Sequence, residues 1–245
     1  MCSVHGMNEG KFALSCSWDR TVKLWDLDPD DDDPLIRTFI GHKHQVNGVA
    51  WSPDHRIIIT ASCDRHLKLW NNLGECKYTF HCDEGHNDWT SAVAFGDCFA
   101  LSAGWDGVVK LWNSKTMKME WEMKCHTAPV HALALSPEDV FFASGGADRT
   151  VLVTSPKDRK VIHGFDVSGI IRSLDFHPHL QWLAAMIESP GAAVWVFDVE
   201  NRASVATLTV QDSPAHGLSV AWEPQGQRVF GGFSDGAIHV WRMKA

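Results

Sequence analysis

A chain of 245 residues is long enough for one large domain or two small ones, and its 44% hydrophobic content supplies a sizeable core, which excludes global disorder. The net charge of −8 excludes a blanket polycation, so any contact with nucleic acid has to come from a local basic patch. Five of the negative charges stand together at Asp28, Asp30, Asp31, Asp32 and Asp33, and without them the balance would be −3.

From the N-terminus, Met1 to Phe12 carries no charged-then-apolar leader pattern. The fragment CSVHGM stands where an inner strand is expected. Then LSCSWDRTVKLWDL (14–27) reads as a strand, a turn at Asp19 and a strand ending at Trp25. The acidic run, with Pro29 inside it and Pro34 after it, forms a solvated loop between third and fourth strands. Gly41-His42 precedes a strand VNGVAWSP (46–53). The next pair, ITASCDRHLKLWNN (59–72), turns at Asp64 and ends at Trp70. Gly85-His86 precedes TSAVAFG (90–96), followed by LSAGWDGVVKLWNS (101–114) with Asp106 and Trp112. Cys125-His126 precedes VHALALSP (130–137). Its pair, ASGGADRTVLVTSP (143–156), has Asp148 in the turn and Thr154 where Trp stood before. IRSLDFHP (171–178) leads into AAMIESPGAAVWVFDV (184–199), a degenerate copy with Ser189-Pro190 in the turn and Phe197 at its end. In the first of these, His177-Pro178-His179 closes the strand. Finally LSVAWEP (218–224) precedes FGGFSDGAIHVWRM (230–243), with Asp235 and Trp241.

The register is regular. Turn positions 19, 64, 106, 148, 190 and 235 are spaced by 45, 42, 42, 42 and 45, and the strand ends follow by 45, 42, 42, 43 and 44. A period near forty-three with alternating strands resembles the WD40 repeat, one four-stranded propeller blade per repeat. It also explains twelve Trp against a single Tyr. The expectation is an all-β WD40 β-propeller with six recognisable blades of a seven-bladed pattern, in one domain over 1–245. The units fall at about 1–27 (partial), 41–71, 85–113, 125–155, 164–198 and 214–242. Neither terminus offers a spare outer strand to complete a blade.

In WD repeats the loop His, a hydroxyl on the second strand, the turn Asp and the strand-end Trp form a buried hydrogen-bonded set. The matching residues are His42, Thr60, Asp64 and Trp70; His86, Ser102, Asp106 and Trp112; and His126, Ser144 and Asp148, broken at Thr154. Trp donates, a hydroxyl donates and accepts, and a carboxylate only accepts. Each such buried group needs a partner.

Certain runs are more specific: KFALSCSWDRTVKLWDL (11–27), NLGECKYTF (72–80), GHNDW (85–89), SPEDVFFASGGADRT (136–150), FHPHLQWLAA (176–185) and VAWEPQGQRVFGGFSDGAIHVW (220–241). Together they resemble the receptor for activated C kinase family, the Gβ-like proteins of the small ribosomal subunit. The resemblance spans essentially the whole chain from within the family's second blade onward. It implies a cytoplasmic, ribosome-associated scaffold that touches rRNA and neighbouring ribosomal proteins and docks protein kinases and translation factors. The family's Arg and Lys flanking a turn Asp belong to the blade that has no counterpart here. The surviving equivalents are Arg20, Arg65 and Arg149, each following a turn Asp, and arginine suits bidentate phosphate contact. The alternative for each is an exposed turn residue without a partner. At the level of function the alternative is a free cytosolic WD-repeat adaptor in signalling or complex assembly, and a Gβ-type subunit is disfavoured because no long helical segment precedes the first repeat.

Catalysis has no motif behind it: G-x-S-x-G, the P-loop and H-E-x-x-H are all missing. No cofactor, metal or small-molecule substrate is expected. Cys76, His81, Cys82 and His86 lie close in sequence, but their spacing is irregular for zinc and His86 already has a place in the repeat. Seven Cys without a C-x-x-C pair fit free thiols in a reducing compartment. No apolar run is long enough to span a membrane.

Overall fold

The computed structural model describes residues 4–7, 11–28, 33–80, 85–188, 193–210 and 215–243. Every regular element among them is a strand, twenty-three in all. They form six antiparallel sheets, five of four strands and one of three, and each sheet is a sequential meander. Six blades of WD40 type are therefore present, as the repeat period requires.

The chain divides into two compact units, Met1–Lys124 and Cys125–Ala245. The first unit holds three blades. Blade one runs β1 (Val4–Met7), β2 (Phe12–Cys16), β3 (Thr21–Asp26) and β4 (Leu35–Ile40). Blade two runs β5 (Val46–Trp51), β6 (Ile57–Ser62), β7 (Leu67–Asn71) and β8 (Cys76–Phe80). Blade three runs β9 (Thr90–Phe95), β10 (Phe99–Gly104), β11 (Val109–Asn113) and β12 (Met119–Met123). The short N-terminal fragment thus supplies a four-residue strand, paired with β2 from Val4 opposite Ser15 to Met7 opposite Phe12.

The second unit repeats the plan. Blade four is β13 (Val130–Leu135), β14 (Phe142–Gly146), β15 (Thr150–Ser155) and β16 (Lys160–Asp166). Blade five is β17 (Ile170–Phe176), β18 (Trp182–Glu188), β19 (Ala193–Asp198) and β20 (Ala203–Thr209). Blade six has three strands, β21 (Gly217–Trp222), β22 (Arg228–Phe233) and β23 (Ile238–Arg242).

Why these segments are strands follows from their side chains. The second and third strands of each blade carry Val, Ile, Leu and small residues at alternating or continuous positions, and in blades two to five both faces are largely buried. Within each unit neighbouring blades pack through those faces. In the first unit Val22 and Leu24 of blade one join Val46, Val49, Trp51 and Ile58 of blade two in one buried cluster. In the second unit Val194 and Val196 of blade five meet Val220, Trp222 and Val229 of blade six. Two register shifts recur. One breaks the inner hairpin of five blades, as between Val46 and Gly48 or Ile171 and Ser173. The other lies at the strand-end Trp position, as between Leu69 and Trp70. A bulge adds local twist to the strand that carries it.

Candidate functional site

The polar sets sit at the junction of three elements in blades two, three and four. In blade two Trp70 Nε1 donates to Thr60 Oγ1 at 3.0 Å, and Thr60 Oγ1 lies 2.7 Å from His42 Nε2. The other ring nitrogen, His42 Nδ1, lies 2.8 Å from Asp64 Oδ2. A carboxylate only accepts, so Nδ1 carries a proton, while Thr60 Oγ1 accepts from Trp70 and pairs with His42 Nε2. The set runs without a break from Trp70 to Asp64, and the Thr60 hydroxyl also lies 3.4 Å from Lys68 O. Asp64 also takes the backbone N–H of Lys43 at 3.0 Å and of His66 at 3.0 Å. Burial pushes the Asp64 carboxyl up, but the bond from His42 and these two N–H groups outweigh it, and the group is held well below the usual carboxylate range.

Blade three repeats the geometry. Trp112 Nε1 is 2.9 Å from Ser102 Oγ, Ser102 Oγ is 2.8 Å from His86 Nε2, and His86 Nδ1 is 3.0 Å from Asp106 Oδ1. Asp106 is lowered for the same reasons: its burial is outweighed by His86 and by the N–H of Asn87 and Val108. In blade four His126 bridges Ser144 Oγ at 2.8 Å and Asp148 Oδ2 at 2.7 Å, and Thr154, fully buried, stands where Trp70 and Trp112 stand in their blades. The aspartate therefore sits at the end of the set, bonded to His and to backbone, and the hydroxyl sits between Trp and His.

The other blades differ. In blade one Trp25 Nε1 still donates to Ser15 Oγ at 2.8 Å, while Asp19 is exposed and bonds its own turn through Thr21 N–H and Oγ1. The hydroxyl position becomes Ala185 in blade five and Gly231 in blade six, read from their pairing with Trp195 and His239. Phe197 replaces Trp and stacks on Phe165 at 4.4 Å between centroids. The degenerate Ser189-Pro190 turn lies outside the described residues. His177 does cap a turn: its Nδ1 accepts the backbone N–H of His179 and Leu180 at 2.9 Å each, so Nε2–H donates to Gly226 O at 3.0 Å.

Beside each turn Asp lies the residue of functional interest. Arg20, Arg65 and Arg149 are exposed and adopt φ of 74°, 68° and 63°. The same turn position in blades three and six is Gly107 and Gly236, at φ 76° and 84°. Arg20 and Arg65 lie in the second-to-third-strand turns of adjacent blades of the first unit, whose loops are tied together by hydrogen bonds. Ser17 O accepts from Val46 N–H at 3.1 Å, and Gln45 O accepts from Cys63 N–H at 2.9 Å. Asn47 Nδ2 then reaches Thr90 O at 2.9 Å, and Trp89 O accepts from Trp105 N–H at 2.8 Å. Trp18, Trp89 and Trp105 stand exposed on these loops, with Trp89 and Trp105 at 4.6 Å between ring centroids. Arg149 occupies the matching turn of blade four in the second unit.

Sequence reasoning missed those exposed aromatics, although the Trp directly before the turn Asp at 18 and 105 is their signal. It also missed a charged set in the second unit, where Arg172 pairs with Glu188, and His216 Nδ1 lies 3.6 Å from the same carboxylate. Of the four residues weighed for zinc, His81 and Cys82 lie outside the described residues. Cys76 is exposed, and His86 is engaged with Ser102 and Asp106. No group of three or more His, Cys, Asp or Glu with metal-holding geometry occurs among the described residues. In the acidic loop residues 29–32 lie outside the described residues, Asp26 accepts the N–H of Asp28, and Asp33 accepts that of Leu35. No helix among the described residues is long and apolar enough to cross a membrane.

Comparison with known proteins places these features in a family. The WD domain, G-beta repeat, matches residues 2–26, 33–71, 74–113, 117–155 and 204–242, leaving out the stretch that contains the degenerate unit. The small ribosomal subunit protein RACK1 of Caenorhabditis elegans is 34% identical over 296 residues, which cover 96% of this chain and 90% of that protein. RACK1y of Oryza sativa subsp. japonica, also a small ribosomal subunit protein, is 36% identical over 305 residues, 97% of this chain and 90% of that one. The cross-pathway control WD-repeat protein 2 of Flammulina velutipes is 36% identical over 247 residues, 96% of this chain and 76% of that one. With a WD40 repeat in each matched segment and relatives of this identity along nearly its full length, the chain belongs to the RACK1 family of WD-repeat proteins.

Proposed function

We propose that this chain is a non-enzymatic, cytoplasmic scaffold that binds the small ribosomal subunit through its arginine-bearing turns and displays separate loop surfaces to protein kinases and translation factors. One observation carries the reading. Three turns place arginine at a left-handed φ that two sister turns give to glycine. A non-glycine residue there costs about 1 kcal/mol. Folding alone favours glycine at this position, and an arginine held there presents its guanidinium to solvent, where a phosphate outside the chain can meet it. Arginine's planar fork suits phosphate, and contacts to a phosphate backbone position a protein without reading sequence. The relatives named for the small ribosomal subunit support a ribosomal partner, whose rRNA would offer such a backbone. The rest of the mechanism is rigid display by a stiff array of sheets, in one domain over 1–245 that needs no substrate pocket, metal or cofactor.

Sedimentation of the full chain on sucrose gradients tests this. The expected result is co-migration with small subunits that fades as salt rises. Arg20→Glu with Arg65→Glu should weaken it and flatten the salt dependence, by roughly one unit of slope for each phosphate left unneutralised. A chain found only in the soluble fraction at low salt would overturn the reading in favour of the free adaptor.

A further inference from the structure

Blades two, three, four and six close one junction with the same bond. The residue before the turn Asp donates its backbone N–H to a carbonyl of the loop that enters the blade. Cys63 bonds Gln45, Trp105 bonds Trp89, Ala147 bonds Pro129 and Ser234 bonds His216, at 2.8–2.9 Å. Both partners use backbone atoms, so the junction accepts side chains as different as glutamine, cysteine, proline, alanine, histidine and serine. Of these four blades, blade three sets an indole at both positions. Trp89 is 43% and Trp105 39% exposed, whereas the strand-end Trp70 and Trp112 are 2% exposed or less. The two exposed rings lie 4.6 Å apart between centroids and are tilted by 44°, so they adjoin as one apolar patch without covering one another. The sister blades show that folding does not call for this pair, and exposed Trp is enriched where partners bind tightly.

Charge around the patch has the opposite sign to that of the blade beside it. Lys43 and Asn87 each donate a backbone N–H to the turn Asp of their blade, which fixes the correspondence between the two loops. Blade two then carries Lys43, His44 and Arg65 where blade three carries Asn87, Asp88 and Gly107. Asp88 is exposed, and its Oδ1 accepts the Trp89 N–H at 2.7 Å, which fixes the carboxylate beside the first indole residue. Asp106 is already engaged with His86, Asn87 and Val108. The lysines of the blade's outer side are engaged as well. Lys110 Nζ donates to Gly85 O at 2.6 Å and lies 3.2 Å from Glu122, which also pairs with Lys124. Indole faces are electron-rich, so two of them beside an exposed carboxylate attract a cation. Arginine fits best, because its planar guanidinium stacks on an aromatic face while its N–H fork bonds a carboxylate. A phosphate would meet the Asp88 carboxylate instead, so a nucleic acid is the poorer fit.

We infer that Trp89, Trp105 and Asp88 form a docking site for an arginine side chain presented by an exposed segment of a partner protein. The guanidinium stacks on the indoles and donates to Asp88. Lys43, His44 and Arg65 of blade two repel a run of like charges, so the segment carries one arginine and not a polybasic stretch. The site rests on the display part of the function proposed above and not on attachment to the ribosome, which uses Arg20 and Arg65.

The probe is a short peptide with one arginine between glycines and both ends blocked, titrated into the full chain. Affinity is read by NMR from broadening of the peptide's own signals, and location from the indole N–H resonances of the protein. Saturable binding is expected, with a dissociation constant of about 1 mM or below that rises with salt, and with shifts at Trp89 and Trp105. Citrulline in place of arginine keeps the shape and removes the charge, and should weaken binding roughly fivefold. Trp89→Gln with Trp105→Ala should weaken it as much and melt with wild type, since Gln45 and Ala147 hold these positions in sister blades. Asp88→Asn should weaken it roughly threefold. Arg20→Glu with Arg65→Glu should bind the peptide at least as tightly, which keeps failure of ribosome attachment distinct from failure of this site. No saturation at about 10 mM peptide, or equal binding of the citrulline peptide, overturns the proposal. So does a double Trp variant that melts several degrees below wild type, because the indoles would then serve their own blade. An oligouridylate that shifts the same indoles more tightly than the peptide would assign the pair to nucleic acid and likewise overturn it.

Discussion

Blades two, three and four hold their hairpins with a buried polar relay, and blades five and six hold the same hairpins with rings and small residues. In the first group His42, His86 and His126 each link a hydroxyl to an aspartate. In the second group the hydroxyl is gone. Phe197 stacks on Phe165, and Trp241 lies over Gly231, where an added Cβ would come within 2.8 Å of the indole. A polar relay is directional and costly when incomplete, since each orphaned group has been stripped of water and then left without a bond. Ring packing is more forgiving of identity and less tolerant of added volume. The backbone comes out the same.

The largest effect should come from breaking a relay. Asp64→Ala strands the Nδ1–H of His42 and the backbone N–H groups of Lys43 and His66. The expected loss is about 3 kcal/mol, with a melting temperature lower by roughly 6–12 °C. Asp235→Ala in blade six removes one exposed bond, to the Ala237 N–H at 2.9 Å, and should cost under about 1 kcal/mol. Equal melting temperatures for the two variants would erase the distinction between the groups of blades. The relay also has an acid signature. Asp64 and Asp106 are lowered in the folded state, so their contribution is complete above the unfolded value near 3.8 and is lost as pH falls through the folded values. Unfolding midpoints followed downward from pH 5 should drop less steeply in Asp64→Asn with Asp106→Asn than in wild type.

A repair of the motif gives the next largest effect, with a sign opposite to the one that motif logic suggests. Ser15, Thr60, Ser102 and Ser144 occupy the hydroxyl position in four blades, so Gly231→Ser looks like a restoration. The geometry says otherwise: besides the indole of Trp241, Met186 Cε lies 3.0 Å from an added Cβ and Phe233 Cε2 3.1 Å. Overpacking of this kind costs about 2 kcal/mol. Calorimetry showing a raised melting temperature in Gly231→Ser would mean that the relay, and not the rings, sets the design of blade six.

Asp175 is a carboxylate of the second unit whose burial wins. Its Oδ2 accepts the Trp222 N–H at 2.6 Å and the Phe176 N–H helps, yet burial pushes it up to about 6. A raised folded value means that the native state prefers the protonated form. The stability present below pH 3.8 is lost as pH rises through about 6, and the penalty is constant above that. Asp175→Asn keeps an acceptor for Trp222 without the charge. It should gain about 1–2 kcal/mol at pH 7.5 and nothing at pH 4. Chemical denaturation at the two pH values checks this, and a gain that does not depend on pH would remove charge as its cause.

These contrasts explain what the sequence made legible. The inner three strands of the blades were readable because turn and strand-end positions recur near every forty-third residue, with Asp at five of six turns and Trp at four of six ends, and apolar runs flank them. The outer strands LIRTFI, CKYTF, MEWEM, KVIHGFD and ASVATLT share no motif, because most of their side chains face solvent and few positions are buried. Membership of the relay was readable at His42, His86 and His126, since a specific donor and acceptor pattern admits few residue types. Its order was not: that Asp ends the relay and the hydroxyl stands between Trp and His depends on distances no spacing encodes.

The smallest expected effect bears most directly on function. Arg20, Arg65 and Arg149 hold left-handed φ values in turns whose sister copies use glycine. Replacing Arg20 by glycine removes backbone strain, while the freer unfolded chain of glycine takes part of the gain back. The net should be a stabilisation of up to about 0.5 kcal/mol. Arg20 itself is exposed, so little packing is given up on the way. The same variant should sediment less with small subunits in the gradient experiment. A protein slightly more stable and less able to bind would separate the two roles of the turn, because a residue selected for folding does not improve folding when it is removed. If Arg20→Gly instead lowers the melting temperature by several degrees, the arginine serves its own blade, and its left-handed φ no longer points to a phosphate outside the chain.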